Sequence, residues 1–237
     1  MNDSEDILHP RSIRSFVKRS GRITTGQIKA RAQIGRDFLI EYNANVLNMQ
    51  EAFNSHNAPD APVVLEIGFG MGEATAAIAQ TLNHINFLCC EVHDPGVGAL
   101  LKRVGEFNLK NIRIIQHDAV QVLEHMIEPS SLEGVHIFFP DPWHKKKHNK
   151  RRLIQTPFIN ALISKIKVGG YIHCATDWEA YAVQMLEVLN ESSRLVNTSE
   201  DPSGFALKPH YRPLTKFENR GLKLGHGVWD LVFKRLS

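Results

Sequence analysis

Residues 63–72 read VVLEIGFGMG, an apolar run of strand length that ends in a glycine-rich turn. The segment after it, residues 73–82, has the pattern of a helix. Glycines in such a turn let the backbone pass close to a ligand, because no Cβ atom stands in the way. A strand, a glycine turn and a helix in this order predict the first unit of an α/β sheet, with a ligand site at the turn.

Downstream of this unit, apolar runs of strand length alternate with helical stretches. Continuous apolar strands are typical of a parallel sheet that helices cover on both faces. We therefore predict an α/β fold with a doubly wound, mostly parallel, Rossmann-like sheet. The predicted strands are residues 63–70, 86–92, 112–117, 135–139, 170–176 and 227–233, and the predicted helices are residues 73–82, 98–107, 119–127, 157–166 and 179–191.

The chain has 237 residues, 43% of them apolar, which is enough for one continuous core. Residues 54–62 (NSHNAPDAP) are turn-rich, and the residues before them mix basic, small and polar types without a clear period. We place a boundary in this stretch. Residues 1–56 are predicted to form a basic, partly flexible N-terminal extension, and residues 57–237 are predicted to form the folded domain.

Composition argues against several classes of protein. The chain begins with acidic residues and no signal-peptide pattern, and no run approaches the roughly 18 apolar residues of a membrane span. We expect a cytoplasmic protein with no membrane partner. Cys89, Cys90 and Cys174 lie in apolar runs, which predicts reduced core residues and not disulfides or metal ligands.

Positive charge is concentrated in two segments, although the net charge is only +3. Residues 7–36 hold eight basic residues, residues 145–152 hold six, and neither segment has an acidic residue. Elsewhere, 14 basic residues stand against 25 acidic ones. A single charged run is usually a solvated face, but two such runs favour a polyanionic partner such as a nucleic acid.

Acidic residues mark the carboxyl ends of the predicted strands, where open α/β sheets bind ligands. A dinucleotide site is one alternative, because Gly68 and Gly70 match its glycine pattern. Its third glycine is replaced by Glu73, and a negative charge at a helix N-terminus disfavours a pyrophosphate. S-adenosylmethionine has no phosphate and is cationic, so carboxylates at this edge would attract it. The acidic residues are Glu66, Glu91, Asp118, Asp141 and Asp177.

Two of these acids have positions that suit the nucleoside part of S-adenosylmethionine. Glu91 follows the turn by about twenty residues, where an acid accepts hydrogen bonds from both ribose hydroxyls. Asp118 is placed to accept from the adenine amino group. An isolated acid at such a position is more often a helix N-cap or a solvated loop residue. Acids at several successive strand ends favour a shared ligand.

Residues 138–152 read FFPDPWHKKKHNKRR and follow the fourth predicted strand. In a doubly wound sheet this strand neighbours the first, so we expect Asp141 to lie across the cleft from the methyl donor. The prolines on both sides of Asp141 stiffen its loop. Trp143 either packs against a base or closes the core.

The lysine and arginine run in this segment predicts contacts with RNA phosphates, because such residues neutralise backbone charge whatever the base sequence. His144 and His148 have a spacing that could hold a metal on a helix. The lysines between them and the lack of further ligands disfavour zinc, so we expect no metal site.

Several separated motifs resemble the bacterial tRNA (guanine-N7)-methyltransferase family. The resemblance covers nearly the whole chain and implies a seven-stranded methyltransferase sheet with S-adenosyl-L-methionine as cofactor. It also implies tRNA as partner, with methyl transfer to N7 of a guanine in the variable loop. The motifs are RSFVKRSGRITTGQ at residues 14–27, VVLEIGFGMGE at 63–73, FPDPWHKKKHNKRR at 139–152, the Asp177–Trp178 step, and TKFENRG at 215–221.

The resemblance implies roles for individual residues at the matching positions. Asp141 would be the catalytic, central carboxylate. The implied cofactor contacts are Glu66, Gly68, Gly70, Glu91, Asp118 and Asp141. The implied substrate contacts are Lys145, Asp177, Thr215, Lys216, Phe217 and Glu218, and the implied RNA contacts are Lys147, His148, Asn149, Lys150, Arg151 and Arg152.

The chemistry of guanine N7 suits these residues. N7 carries an in-plane lone pair, so its attack on a sulfonium methyl needs positioning and no general base. Carboxylates near the base stabilise the positive charge that develops, and Asp141, Asp177 or Glu218 could also accept from guanine N1 and N2.

Two alternatives stay open. One is a methyltransferase that acts on another RNA base or on a protein, since Asp-Pro-Trp is similar to the Asp/Asn-Pro-aromatic loop of amino-methylating enzymes. The other is a non-catalytic RNA-binding protein with the same fold, in which the cofactor acids would not be needed. We expect a monomer or a homodimer.

Overall fold

The computed structural model describes residues 15–16, 21–53, 61–214, 218 and 227–237. These residues form one mixed sheet of eight strands with helices on both faces. The strands are β1 Leu39–Ile40, β2 Val63–Ile67, β3 Asn86–Cys90, β4 Ile112–Ile115, β5 Leu132–Phe138, β6 Ile166–Thr176, β7 Leu195–Asn197 and β8 Trp229–Arg235. The helices are α1 Thr25–Phe38, α2 Met49–Phe53, α3 Glu73–Thr81, α4 Asp94–Glu106, α5 Ala119–His125, α6 Thr156–Lys165 and α7 Glu179–Asn190, with a 3-10 helix at Lys146–Arg151.

The strand order is β1-β4-β3-β2-β5-β6-β8-β7. Strand β8 runs antiparallel to β6 and β7, and the other pairs are parallel. From β2 the chain builds outward through β3 and β4 on one side, and it returns to the other side of β2 with β5. The order of strands therefore reverses between β2 and β5, which is where open α/β sheets bind ligands.

Every residue of β2, β3 and β4 is buried, which explains why these strands are mostly apolar, with one polar or charged residue in each. Two apolar layers cover the sheet. Helices α5, α6 and α7 pack on one face, with side chains such as Leu123, Leu162 and Met185, and α1, α3 and α4 pack on the other face, with side chains such as Ile78 and Leu100.

The predicted α/β fold with a doubly wound, mostly parallel sheet is confirmed. The sheet has eight strands instead of the seven that the resemblance implies, because the two-residue strand β1 pairs with the outer edge of β4. Helix α4 begins at Asp94, four residues before its predicted start. The sequence DPG at residues 94–96 looks like a turn, but proline is well tolerated in the first turn of a helix.

Residues 25–53 precede the predicted boundary at residue 57 and pack on the sheet. A capping box starts α1, with the Thr24 N–H donating to Gln27 Oε1 at 2.8 Å and the Gln27 N–H donating to Thr24 Oγ1 at 3.4 Å. Helix α1 lies against α4, and the buried rings of Phe38 and Phe53 lie 5.3 and 5.1 Å from the Arg113 guanidinium. The described part of the extension therefore shares the core of the sheet.

The boundary at residue 57 stays a prediction. Residues 1–14, 17–20 and 54–60, on which the prediction of flexibility mainly falls, lie outside the described residues.

The three cysteines are buried and free, as predicted for reduced core residues. Within the described ranges, no helix has the length and apolar character needed to cross a bilayer.

Candidate active site

The carboxyl ends of five parallel strands lie level with one another. Ile67 of β2 pairs with Cys90 of β3 and Ile137 of β5, and these pair in turn with Ile115 of β4 and Cys174 of β6. Four of the five predicted acids lie just beyond this row, and the fifth, Glu66, lies one residue before it. Glu66 is one residue before the end of β2, Glu91 directly follows β3, Asp118 and Asp141 come three residues after β4 and β5, and Asp177 directly follows β6.

The glycine turn after β2 has an open front and a closed back. Gly68, Gly70 and Gly72 have φ angles of 75°, 56° and 71°, a left-handed region that favours glycine. A Cβ atom added at Gly68 or Gly70 would meet nothing within 4 Å. On the other side, a Cβ atom added at Gly96 would lie 2.2 Å from the carbonyl oxygen of Gly70. Helix α4 thus packs tightly behind a turn that leaves room for a ligand in front.

The carboxylate of Glu91 is held by the backbone around it. Its Oε2 accepts from the N–H of Gly70 at 2.8 Å, and its Oε1 accepts from the N–H groups of Val92 and His93 at 2.7 and 3.0 Å. These bonds join the end of β3 to the glycine turn after β2. These three hydrogen bonds set the orientation of the carboxylate. Because Glu91 is only half-buried, it also stays within reach of a ligand.

Glu66 is the most perturbed acid at this edge. Its side chain is 2% exposed, and Oε1 accepts from the Thr75 hydroxyl at 2.9 Å. Its second oxygen, Oε2, is buried without a hydrogen-bond partner among the described residues. The pKa of Glu66 is raised to about 7, chiefly because burial disfavours the charged carboxylate; the Thr75 hydrogen bond lowers the pKa and the nearby Glu91 raises it, and both effects are included in that value. A cationic donor brought to Oε2 would satisfy this oxygen and favour the charged carboxylate.

Asp118 is the N-cap of α5, where its Oδ1 accepts from the N–H of Val120 at 3.0 Å. Asp118 can cap the helix and still contact a ligand, because it is only half-buried and part of its side chain stays accessible. It also lines a cavity of about 860 Å³ between α5 and α6, together with Val92 and Gln116. Asp118 therefore faces a volume that could hold part of a ligand.

The loop that carries Asp141 is strained at both ends. Phe139 and Trp143 have φ angles of 50° and 47°, a left-handed conformation that non-glycine residues adopt only where surrounding contacts hold it. The Phe139 N–H donates to the carbonyl of Ala175 at 2.7 Å, which fixes the start of the loop to β6. Asp141 is half-buried between them, directly beyond the point where the strand order reverses.

Trp143 is packed against protein atoms. Its indole N–H donates to the carbonyl of Ser15 at 3.1 Å, and the guanidinium of Arg151 lies 3.9 Å from the centre of its ring. The sequence left open whether Trp143 packs against a base or within the protein. In this structure it packs within the protein.

The basic segment after this loop differs strongly in exposure along its length. Lys145, Lys147 and Lys150 are exposed. Asp177, which directly follows β6, is exposed as well. His148, Asn149 and Arg151 are half-buried. Arg152 is 5% exposed, so it has little surface to offer an RNA phosphate.

Arg152 instead contacts protein groups. Its Nε–H donates to the carbonyl of Pro142 at 2.9 Å, and Nη1 donates to Gln184 Oε1 at 2.5 Å and to the carbonyl of Ala180 at 3.3 Å. The RNA contact implied for Arg152 stays a prediction, and the structure gives no support for it because the guanidinium is buried in these contacts.

Three of the implied substrate residues, Thr215, Lys216 and Phe217, lie outside the described residues. Glu218 is 2% exposed, and its Oε1 lies 2.7 Å from Nη1 of Arg212. In this structure the carboxylate of Glu218 therefore forms a buried ion pair.

Arg212 belongs to a buried polar network that sequence reasoning missed. It binds both carboxylate oxygens of Asp230 at 2.7 Å, and Asp230 accepts a hydrogen bond from His173 at 2.8 Å. The other ring nitrogen of His173 lies 2.8 Å from the hydroxyl of Tyr211. Burial alone would raise the pKa of Asp230, but the bonds from His173 and Arg212 hold it below its ordinary value. A visible signal was the presence of His173 and Asp230 inside predicted apolar strands.

His144 and His148 do not form a pair. The ring of His144 packs edge-on against Trp178 at 4.2 Å between ring centres, and that of His148 packs against Trp143 at 6.1 Å. In the part of the chain that the structure describes, no three His, Cys, Asp or Glu side chains are grouped so that they could share a metal ion.

Comparison with known proteins identifies the family. A family model described as "Putative methyltransferase" matches residues 60–231. The tRNA (guanine-N(7)-)-methyltransferase of Acidovorax sp. (strain JS42) is 62% identical over 230 residues, which cover 97% of this chain and 89% of that protein. The protein of the same name from Polaromonas sp. (strain JS666 / ATCC BAA-500) is 62% identical over 234 residues, 98% of this chain and 94% of that protein.

The chain belongs to the tRNA (guanine-N(7)-)-methyltransferase family. The predicted resemblance is thereby confirmed.

Solved structures share the fold of this tRNA (guanine-N(7)-)-methyltransferase family member at low identity. The 16S rRNA methyltransferase KamB matches with a TM-score of 0.56 and 12% identity, over 81% of this chain and 99% of that chain. TrmN from Thermus thermophilus matches with a TM-score of 0.52 and 14% identity, over 79% of this chain and 47% of that chain. At such low sequence identity, the structural similarity supports a shared fold and nothing further.

Proposed function

We propose that this chain transfers the methyl group of S-adenosylmethionine to N7 of a guanine in the variable loop of tRNA. The proposal is carried by the position of the Asp141 loop, which begins beyond β5 at the reversal of strand order, across from the glycine turn after β2. The names of relatives that are 62% identical over nearly the whole chain support the same activity.

The residues at the glycine turn fit S-adenosylmethionine. Gly68 and Gly70 leave open space at the turn, and Oε2 of Glu66, which has no hydrogen-bond partner within the described ranges, is suited to a cationic group. Glu91 and Asp118 would hold the ribose hydroxyls and the adenine amino group. A pyrophosphate would meet Glu73 at the start of α3, although Arg103 pairs with Glu73 at 2.9 Å and offsets part of its charge.

Bound S-adenosylmethionine supplies an electrophilic methyl group on a cationic sulfur. Guanine N7 has a lone pair in the plane of the base, so the protein has to orient the base and needs no general base. We assign this orientation to Asp141, whose carboxylate also stabilises the positive charge that the base acquires. Asp141, Asp177 or Glu218 is proposed to accept from guanine N1 and N2; for Glu218 this requires the carboxylate to leave its buried ion pair with Arg212. Lys145, Thr215, Lys216 and Phe217 would complete the substrate site.

The exposed lysines of the 3-10 helix are proposed to bind the tRNA backbone. Lys147 and Lys150 extend into solvent beside the Asp141 loop, so phosphates bound there would bring the base toward the cleft. His148, Asn149 and Arg151 are half-buried and would contribute at the rim of this surface.

A tRNA transcript in which guanosine is replaced by 7-deazaguanosine tests the target atom. This analogue keeps the Watson–Crick edge of guanine but has carbon in place of N7, so we expect binding without methyl transfer. Transfer to the 7-deaza transcript at the normal rate would contradict the proposal. It would favour the alternative, a methyltransferase that acts on another atom of RNA, and label in protein would favour a protein substrate.

We propose a cytoplasmic location and either a monomer or a homodimer as the active form. tRNA substrates are found in the cytoplasm, and the described residues include no membrane-spanning helix. Sedimentation of the full chain with and without tRNA would distinguish the two forms.

A further inference from the structure

The side chains of the basic segment after the Asp141 loop, residues 145–152, point in two directions. Its lysines, Lys145, Lys146, Lys147 and Lys150, are exposed, whereas Arg151 is half-buried and Arg152 is 5% exposed. The sequence pattern predicts one role for the whole run, which is contact with phosphates. The difference in exposure separates the outward lysines from the inward arginines.

Arg152 joins the Asp141 loop to helix α7. Its guanidinium donates to the carbonyl of Pro142 in the loop, and to Gln184 and the carbonyl of Ala180 in α7. It also lies 4.7 Å from the centre of the Tyr181 ring. Three hydrogen bonds and a ring face therefore hold one side chain between the two elements.

Those partners are two carbonyls, an amide oxygen and an aromatic ring, and none of them is a carboxylate. Burial lowers the pKa of Arg152, but an arginine stays charged at neutral pH. Among the described residues no carboxylate pairs with Arg152, and a buried cation without an anionic partner is costly. The planar, five-donor guanidinium is suited to holding several carbonyl groups at once.

Pro142 directly follows Asp141, and its carbonyl lies in the peptide between Pro142 and Trp143, so the Arg152 contact fixes the loop one residue after Asp141. The prolines on both sides of Asp141 offer no N–H groups, so the carbonyls make up most of the backbone groups that can anchor residues 140–142. The left-handed conformation of Trp143 on the other side of Pro142 needs surrounding contacts to persist. The arginine pair supplies two of them, Arg152 at the Pro142 carbonyl and Arg151 over the Trp143 ring.

We propose that Arg152 is a positioning residue that orients Asp141 through the Pro142 carbonyl and does not contact RNA. The inference rests on the proposed function, because the reaction in which it acts is the methyl transfer assigned to Asp141. One short 3-10 helix then connects two functions. Its outward lysines would bind RNA, and the inward arginines hold the Asp141 loop.

Steady-state methyl transfer to unmodified tRNA, with saturating S-adenosylmethionine, separates positioning from RNA binding. Full-length wild type, Arg152→Met and Arg152→Lys are compared, with active sites counted by titration with S-adenosylhomocysteine. In Arg152→Met we expect kcat to fall about 10- to 100-fold, since small misplacements of a reacting group have effects of this size. The KM for tRNA should change by less than about twofold, because uniform binding is untouched.

The conservative variant and the lysines provide the contrast. Arg152→Lys keeps one donor for the Pro142 carbonyl and should recover part of kcat. Lys147→Gln with Lys150→Gln should instead raise KM and make the dependence of tRNA affinity on salt shallower, which Arg152→Met should leave unchanged. Arg194→Met, which removes a half-buried arginine that reaches Asn160 at 3.4 Å, is the matched control and should resemble wild type.

An unchanged kcat in Arg152→Met would overturn the proposal. If KM for tRNA also rose and the salt dependence of affinity became shallower, Arg152 would be an RNA contact instead. If Arg152→Met does not fold, Gln184→Leu removes one acceptor of Arg152 and should lower kcat by a smaller factor at unchanged KM. Unchanged kcat in Gln184→Leu would then count against the proposal. A wild type that transfers no methyl to tRNA would refute the proposed function and this inference with it, whereas an active wild type with an equally active Arg152→Met would refute this inference alone.

Discussion

Glu91 and Gly70 are joined by a hydrogen bond of 2.8 Å from the glycine N–H to Oε2 of the carboxylate. The bond ties the acid after β3 to the turn after β2, so two parts of the ligand site that are distant in sequence are built as one unit. The other oxygen of Glu91 accepts from two further N–H groups, which leaves the carboxylate with little freedom. Glu91 thus shapes the glycine turn in addition to its proposed contact with ribose.

Glu91→Gln should weaken S-adenosylhomocysteine binding and destabilise the fold. The amide can accept with one oxygen, but its NH2 group would face an N–H donor, which leaves a polar group without a partner at a cost of about 1–3 kcal/mol. We expect at least about a tenfold loss of affinity by calorimetry, together with a lower midpoint in urea unfolding. Wild-type affinity would show that Glu91 does not support the ligand site.

The raised pKa of Glu66, about 7, predicts a pH-dependent affinity. The cationic amino group of S-adenosylhomocysteine favours the ionised carboxylate, so affinity should rise as the pH rises toward 7, by up to about tenfold per pH unit, and level off above it. Calorimetry between pH 5.5 and 8 measures this. Glu66→Gln should bind more weakly at pH 8 and show a flat profile, and a wild-type profile in this variant would rule out Glu66 as the cause.

The same group predicts the sign of a stability change. Because the folded pKa lies above the ordinary value of 4.5, the folded protein holds the proton more tightly than the unfolded chain. The contribution of Glu66 is therefore present below pH 4.5 and is lost as the pH rises to about 7, by roughly 3 kcal/mol at most. Urea unfolding of wild type and Glu66→Gln across this window should show a smaller decline in the variant, and identical pH dependence would contradict the assignment.

Gly96→Ala should disrupt the glycine turn from behind. The new methyl group would lie 2.2 Å from the carbonyl oxygen of Gly70, so either α4 or the turn has to move. We expect loss of S-adenosylhomocysteine binding and a lower unfolding temperature. Gly105→Ala is the matched control in the same helix, because its methyl group would meet only Ile34 at 3.6 Å. Equal behaviour of the two variants would show that tight packing behind the turn does not matter.

Arg212→Met should lower the free energy of unfolding by about 3–5 kcal/mol, because it leaves the buried carboxylates of Asp230 and Glu218 without their cation. Urea unfolding monitored by fluorescence provides the value. A loss below about 1 kcal/mol would mean that this network is not needed to hold the strands together.

Much of the fold follows from the sequence because β2, β3 and β4 are buried on both sides. Such strands need continuous apolar runs, and the glycine turn has few alternatives once a helix must start at Glu73. Helix α1 and strand β1 were missed for the opposite reason. Helix α1 buries only Gln27, Gly35 and Phe38, and β1 has two half-buried residues, so neither leaves a strong apolar pattern. The capping box at Thr24 was the available signal for α1.

The acids of the site could be predicted by position, since the carboxyl ends of parallel strands share one edge. Their contacts could not be predicted, because the backbone bonds to Glu91 and the environment of the buried Glu66 Oε2, which lacks a partner in the part of the chain that the structure describes, depend on side-chain orientation. The basic run illustrates the same limit. Lysine and arginine look alike as charges, but the path of the 3-10 helix turns Arg152 inward and leaves Lys147 in solvent.

The most direct test of the central claim is methyl transfer from labelled S-adenosylmethionine to unmodified tRNA, followed by nucleoside mass spectrometry, with wild type and Asp141→Ala compared. We expect 7-methylguanosine in the variable loop with wild type. In Asp141→Ala we expect a loss of at least about 100-fold, while circular dichroism and urea unfolding verify the fold. Label in another nucleoside or in protein, or full activity of Asp141→Ala, would contradict the account.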